Sequence, residues 1–261
     1  MTGLVCPACR RVQDGRLVDH ELLPGPLGLR CPGCGRDHPV VDGVPLVLRD
    51  LDAWLSAEAP ALLRRTDLDP LLEARLSRGA GGVAWRDLRR RAASRPHPDS
   101  ALAGWLAEVL RGLEGEILEL GCGGGTHGDP RPVGVDLHWD SLRRYPGRKV
   151  LADALDPPFR GEAFDAVLAV NLLDSCRDPF LLLQQADALL RPGGTLVLVC
   201  PFHWREEVTA PADWLHPVQV QGFLDHRGHQ GTRGEVEWIL APDERTTVHH
   251  RCLTWVTRRG R

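Results

Sequence analysis

The sequence has no apolar run approaching the ~20 residues that a membrane helix needs, and no signal peptide opens it. A cytoplasmic protein is the expectation. Charge of either sign is not in excess: 32 basic and 35 acidic residues leave a formal net charge of −3. That excludes a chain-wide nucleic-acid clamp and leaves room only for a local basic patch. Tyrosine is nearly missing, with Tyr145 the single copy. Cysteine is present, with eight copies, but four of them stand in two Cys-x-x-Cys pairs. In a cytosolic enzyme that pattern points to metal rather than to disulfides. The length of 261 residues suits one large α/β domain plus a small one.

The small one is expected over residues 1–50. Cys6-Pro7-Ala8-Cys9 and Cys31-Pro32-Gly33-Cys34 each form a knuckle whose two thiolates point at one ion. Two knuckles complete a tetrahedron, so Cys6, Cys9, Cys31 and Cys34 are the candidate ligands of a structural Zn2+ with no open position for water. The competing reading is a redox pair. His20 and His38 are read as surface or outer residues, because four thiolates already suffice. Asp42-Gly43 between apolar runs signals a hairpin. A module below about 40 residues rarely folds without a staple, so zinc should supply much of its folding free energy. The stretch is similar to the Trm112-like zinc ribbons that accompany methyltransferases.

Residues 51–98 read as a helical connector. Leu51 to Arg65 and Leu68 to Arg78 have helical spacing, and Gly79-Ala80-Gly81-Gly82 breaks it. The arginine run from Arg86 to Arg95 reads as a solvated helix face, with a phosphate patch as the alternative. Pro96 and Pro98 end it. Asp99 or Ser100 should cap a helix whose Leu102, Trp105, Leu106, Val109, Leu110 and Leu113 make one apolar stripe.

Residues 99–261 carry the densest signals. Glu116-Ile117-Leu118-Glu119-Leu120 is a short buried strand running into Gly121-Cys122-Gly123-Gly124-Gly125. The glycines allow positive φ and close approach of a ligand. A second strand, Pro132 to Leu137, carries Asp136 at its tip, where a carboxylate can accept from both ribose hydroxyls of a nucleoside. Leu151-Ala152-Asp153-Ala154 brings a second acid. Phe164 to Asn171 reads as a buried fourth strand, followed by a helix from Asp178 and Pro179 to Leu190. Arg191-Pro192-Gly193-Gly194 then leads into the strand Leu196 to Cys200.

This succession resembles the class I S-adenosylmethionine (SAM) methyltransferases, over roughly residues 100–258. The resemblance implies an α/β fold: a Rossmann-like sheet with helices on both faces. It also implies Gly121 and Gly123 against the methionine part of SAM, Asp136 on the ribose and Asp153 near the adenine amine. Glu119, Cys122, Gly125, Leu137, Ala154 and Asn171 join the expected cofactor set. One departure is visible. Between Gly125 and the second strand stand only Thr126-His127-Gly128-Asp129-Pro130-Arg131-Pro132, where most members place a full helix that helps hold the SAM carboxylate. A short loop or single turn is expected, with His127 as an exposed loop residue or a pocket liner.

Asn171-Leu172-Leu173-Asp174-Ser175 follows the fourth strand at the ligand edge of the sheet. Asn171 as orienter and Asp174 as proton acceptor are the candidate catalytic pair; local capping is the competing reading. Together with Pro201-Phe202-His203-Trp204 and Thr254-Trp255, this set is similar to the methyltransferase domain of ovothiol biosynthesis and to protein-histidine N-methyltransferases. That similarity implies an imidazole acceptor, with Phe202 where some relatives carry tyrosine. Trp204, His203 and Trp214 are candidate pocket walls, and Cys122, Cys176 and Cys200 small buried residues. Three function classes follow: a methyltransferase acting on a small-molecule or side-chain acceptor, an rRNA or tRNA methyltransferase using the ribbon for RNA, and a SAM-binding scaffold without catalysis. RNA is not favoured, because no Asn-Pro-Pro-Tyr motif follows the fourth strand.

Overall fold

A computed structural model describes residues 3–13, 16–26, 28–62, 95–96, 100–125, 127–243 and 246–260. The chain divides into two compact units, Met1–Ala93 and Ser94–Arg261.

In the first unit, β1 (Arg11–Gln13) and β2 (Arg16–Val18) form an antiparallel ribbon. A second antiparallel sheet runs β3 (Leu23–Gly25), β4 (Gly28–Arg30), β5 (Asp37–Val41) and β6 (Val44–Pro45) in that order. Asp42 and Gly43 have φ of 50° and 75° and join β5 to β6. Positive φ at both central residues is what a tight two-residue hairpin requires, as expected from the Asp-Gly pair. Leu4, Val5, Val41, Leu46 and Val47 are buried around these strands. Helix α1 (Leu51–Leu62) follows. The expected helix over Leu68 to Arg78, the glycine break after it and the arginine run as far as Arg91 lie outside the described residues. Arg95 and Pro96 form the short strand β7 of the second unit, paired with Ala241 and Leu240.

The second unit is built on one sheet. Helix α2 (Ala101–Arg111) precedes it. Ser100 occupies the N-cap position, yet its hydroxyl accepts from the Ile239 amide at 3.2 Å rather than from the helix. Leu102, Leu106 and Leu110 form the buried stripe, and Leu113 extends it. They pack against Ile117, Ala166, Leu168, Val197, Val199 and Val236. The helix therefore lies over the strands that follow, as its spacing requires.

Those strands are β8 (Ile117–Leu120), β9 (Val133–Asp136), β10 (Lys149–Leu151), β11 (Phe164–Val170), β12 (Leu190–Cys200), β13 (Gln230–Asp243) and β14 (Thr246–Arg258). Their order in space is β10-β9-β8-β11-β12-β14-β13-β7. The first five are parallel; β14 enters antiparallel between β12 and β13. Every residue of β8 is buried, as a central parallel strand demands. Helix α3 (Trp139–Leu142) is a single turn after β9, α4 (Pro179–Leu189) joins β11 to β12, and α5 (Pro217–His226) precedes β13. Asp178 caps α4 by accepting from the Leu181 amide, with Pro179 in the first turn, as read from the sequence.

Strand β12 begins earlier than expected. Arg191 to Gly194 belong to it, with the register against β11 slipping between Phe164↔Leu190 and Ala166↔Thr195. Gly193 (φ 80°) and Gly194 exchange backbone hydrogen bonds with Arg259. Beneath this bulge lies a buried ionic group. Asp187 accepts from His229 at 3.0 Å and from the Arg227 guanidinium, while His229 meets Thr257 at 3.0 Å. Burial alone would raise the Asp187 pKa, but His229 and Arg227 together hold it below the usual carboxylate range.

Candidate active site

The glycine turn leaves β8 with φ of 66°, 54° and 76° at Gly121, Gly123 and Gly125. All three take the left-handed conformation that the sequence called for. Their surroundings differ. A Cβ on Gly121 would stand 2.6 Å from Leu172, and one on Gly125 2.6 Å from Pro146. Protein neighbours, not a ligand, demand glycine at these two. A Cβ on Gly123 would meet nothing within 4 Å, so Gly123 is where the turn lies open. Cys122 is buried and donates its amide to Val135 O, tying the turn to β9.

Asp136 ends β9 beside this opening. One carboxylate oxygen accepts from the Gly123 amide at 2.8 Å, the other from the His138 amide at 2.7 Å. An ionised carboxylate has about four acceptor positions, so each oxygen keeps room for one more donor. Two hydroxyls of a ribose match that need. Leu137 next to it is exposed. Asp153 stands just past β10; it caps the turn through the Leu155 amide at 2.9 Å and pairs with Arg177 at 2.9 Å. Ala154 is buried. The sequence reading did not include Arg177, and an ion pair across two loops leaves no spacing signal that could have revealed it.

Glu119 and His127 meet in the interior. Glu119 points into the protein at 3 % exposure, where one oxygen accepts from Tyr145 Oη at 3.0 Å and lies 2.8 Å from His127 Nε2. The His127 side chain is fully buried, not exposed on a loop. Among the described residues no helix forms between Gly125 and β9, as the two prolines dictated.

At the other end of the edge, Asn171 closes β11 with φ of 52° and donates its amide to Val199 O. Its side-chain oxygen faces Cys252 Sγ at 3.7 Å. Asp174 sits on the 3-10 turn Leu173–Ser175, buried, and accepts from the His203 amide at 2.8 Å. Neither side chain serves as a local helix cap; both face residues on β14 or the loop after β12. Burial raises the Asp174 pKa above the ordinary range, with the His203 amide opposing.

Aromatic rings surround these groups. His203 and His250 lie 5.3 Å apart, and Trp238 is tilted 5.1 Å from His250. Phe202, itself at φ 54°, meets Trp204 and Trp255 at 6.2 and 6.1 Å. Trp204 stacks on Trp214 at 6.1 Å. Burial lowers the His250 pKa, which keeps that ring neutral near pH 7. His250 escaped the sequence reading; its position opposite Trp238 in the β13–β14 register is what makes it part of this wall. Burial drives the Cys176 and Cys252 thiols up to about 12 and Cys122 and Cys200 higher still. They are small buried residues, not nucleophiles.

In the first unit, the sulfurs of Cys6, Cys9, Cys31 and Cys34 all lie within 4.8 Å of one another. Cys6–Cys34 and Cys9–Cys31 are 3.9 and 3.6 Å apart. A tetrahedron of thiolates about 2.3 Å from zinc has edges of about 3.8 Å, so the donor set fits that ion. His20 packs its ring against Gly33 of the second knuckle and His38 is buried on β5. Neither histidine joins the thiol cluster, as four thiolates led us to expect, and of the two positions expected for His38, at the surface or behind the ligands, burial excludes the surface.

Comparison with known proteins bears on the second unit. Residues 118–198 match the family described as a methyltransferase domain. The match covers β8 to β12 and includes the glycine turn, Asp136, Asp153, Asn171 and Asp174. The sheet is the Rossmann-like one expected. A tRNA U34 carboxymethyltransferase from Saccharophagus degradans is 31 % identical over 101 residues, 32 % of this chain and 31 % of that protein. The chain thus aligns with under a third of that relative. Among solved structures, a SAM-dependent methyltransferase from Thermotoga maritima, described as a possible histamine N-methyltransferase, is 19 % identical. It covers 61 % of this chain and 89 % of its own, with a TM-score of 0.45. The Haloferax volcanii complex of the Trm112 methyltransferase activator with a candidate methyltransferase gives 19 %, 62 %, 91 % and 0.45.

Proposed function

We propose that this chain is a SAM-dependent methyltransferase acting on a nitrogen or oxygen of a small molecule or a peptide side chain. The observation that carries the reading is the Asp136 carboxylate, held by the Gly123 amide beside the one open glycine of the turn. Two free acceptor positions there suit a ribose. SAM, when bound, supplies a methyl on a sulfonium, already activated for in-line displacement. The protein's task is then placement and exclusion of water. Asp136 holds the ribose, Asp153 the base side, and Gly121 to Gly125 the amino-acid end. Asn171 orients the acceptor, and Asp174 takes its proton as the new bond forms. The rings of His203, Trp204 and His250 wall the acceptor from solvent.

A buried carboxylate walled by flat rings suits a flat nitrogen base that can give up a proton to it, so an imidazole is the first acceptor to test. The S–S spacing of the thiol cluster, three of whose four cysteines are buried, supports a structural zinc ribbon in residues 1–50. The tRNA-modifying relative supports a second reading, an RNA acceptor, which predicts steeply salt-dependent RNA binding. A scaffold without catalysis is the third reading and predicts no turnover of any acceptor.

The deciding experiment titrates SAM and S-adenosylhomocysteine calorimetrically into the zinc-loaded protein and into Asp136→Ala. Micromolar binding, lost at least tenfold in the variant, is expected; histidine derivatives, histidine peptides and tRNA are then assayed as acceptors. Absence of binding to folded wild type would sink the reading.

A further inference from the structure

The segment from Gly125 to β9 has no helix to fix it, yet it is anchored at both ends by side chains. At one end stands the buried pair of His127 and Glu119, whose side chains are 0 % and 4 % exposed. His127 Nδ1 accepts from the Asp129 amide at 2.9 Å. That lone pair is spent, so in the neutral ring the proton sits on Nε2 and is donated to Glu119 at 2.8 Å. Tyr145 donates to the same oxygen at 3.0 Å. At the other end, Asp129 grips Arg131 through both oxygens, and Arg131 reaches the carbonyls of Leu110 and Leu113 at 2.7 and 3.0 Å. Those carbonyls close the C-terminus of α2, a place that favours a cation. One polar chain therefore runs from the heart of β8 to the end of α2.

The glycine turn hangs on this chain. Glu119 is two residues before Gly121, and Gly125 packs on Tyr145 and Pro146. Along the sheet edge the order is β10, β9, β8, β11. Asp153 follows β10, Asp136 ends β9, the glycine turn ends β8 and Asn171 follows β11. A nucleoside with its base at Asp153 and its ribose at Asp136 lays its remaining part over the glycine turn. There the turn is open at Gly123, while the amides of Cys122, Gly123 and Gly125 are bonded to Val135, Asp136 and Cys122, so it is the shape of the turn that the ligand meets. Such a surface binds well only if held within about 0.5 Å of the productive geometry.

We propose that His127 is a positioning residue for the amino-acid end of SAM: by holding Glu119 it fixes the glycine turn that receives the carboxylate. The inference rests on the cofactor reading given above. Without His127, the buried Glu119 oxygen keeps, among the described residues, the Tyr145 hydroxyl alone, and a poorly satisfied buried carboxylate pulls its strand end out of place. Asp136 ends β9 and Asp153 lies past β10, and among the described residues neither bonds to His127; if the turn shifts, Asp136 keeps the His138 amide, and Asp153 keeps the Leu155 amide and Arg177.

The test compares two ligands on the full chain. S-adenosylhomocysteine has the amino-acid end; 5′-methylthioadenosine lacks it. His127→Leu is expected to weaken the first at least tenfold and the second less than threefold, with His127→Gln, which keeps a donor, recovering most of the loss. Should His127→Leu fail to fold by circular dichroism, Glu119→Gln is expected to give the same split. An equal loss for both ligands, or no loss for either, overturns the role of His127 while leaving the cofactor site standing. Wild type that binds neither ligand overturns the cofactor reading, and the inference with it.

Discussion

Asp174 is a carboxyl group placed where burial makes its charge costly, with the His203 amide, its own amide and the Cys200 thiol opposing. Its raised pKa has a definite sign. The folded state binds this proton more tightly than the unfolded chain, so its contribution to stability falls as pH rises from the ordinary carboxyl range through the raised value. As a proton acceptor it must be ionised, so methyl transfer should show an acid limb above the ordinary carboxyl range. Asp174→Asn keeps an oxygen for the His203 amide and removes the buried charge. The expected result is a higher melting temperature at pH 7, turnover down roughly 10²–10⁴-fold, and SAM affinity within about twofold of wild type. Thermal melts, steady-state rates and calorimetry on one preparation check all three. The positions of Asn171 and Asp174 after a buried strand could be read from the sequence, because they follow it at a fixed offset. What Asp174 bonds to was not, since His203 lies on another loop.

At the scale of elements, period and punctuation foretold most of what formed. The stripe of α2, the all-buried β8, the cap of α4 and the hairpin at Asp42-Gly43 each obey a local rule. The misreadings have one cause: contacts between distant segments. Ser100 looked like a cap because Ser at that position usually is one, but Ile239 brought it a better-placed amide. His127 looked exposed because it follows glycines, and the buried Glu119 drew it in. The glycine turn offers a test that separates ligand from fold. Gly123→Ala costs about 1–2 kcal/mol for left-handed backbone and, because that side is open, should cost SAM affinity more than tenfold. Gly104→Ala is the control: it lies exposed within α2 and should stabilise by about 0.5–1 kcal/mol without touching affinity. Denaturant melts and calorimetry distinguish the two.

At the scale of the whole molecule, the two units rest on different physics. The second carries a broad apolar core. The first is a set of strands of two to five residues around four clustered thiols. Under the zinc reading its folding free energy is largely the binding free energy of the ion. A strong chelator should therefore release one zinc per chain and abolish the signal of the first unit in hydrogen exchange, while the second keeps its melting transition. Loss of both transitions together, or no zinc released, would count against that division. The cysteine spacing pointed to such a module in advance.

The chain's single phenol, Tyr145, is 1 % exposed and donates to a carboxylate. Burial and the neighbouring Glu119 push its pKa far above the ordinary value. In an alkaline spectrophotometric titration the tyrosinate band should stay absent past the pH where free tyrosine ionises, about 10, and then appear in one step as the second unit opens. A fluorine atom placed on that ring would give one resonance for the entire chain. It would sit where the glycine turn meets Glu119, reporting cofactor binding without any further label.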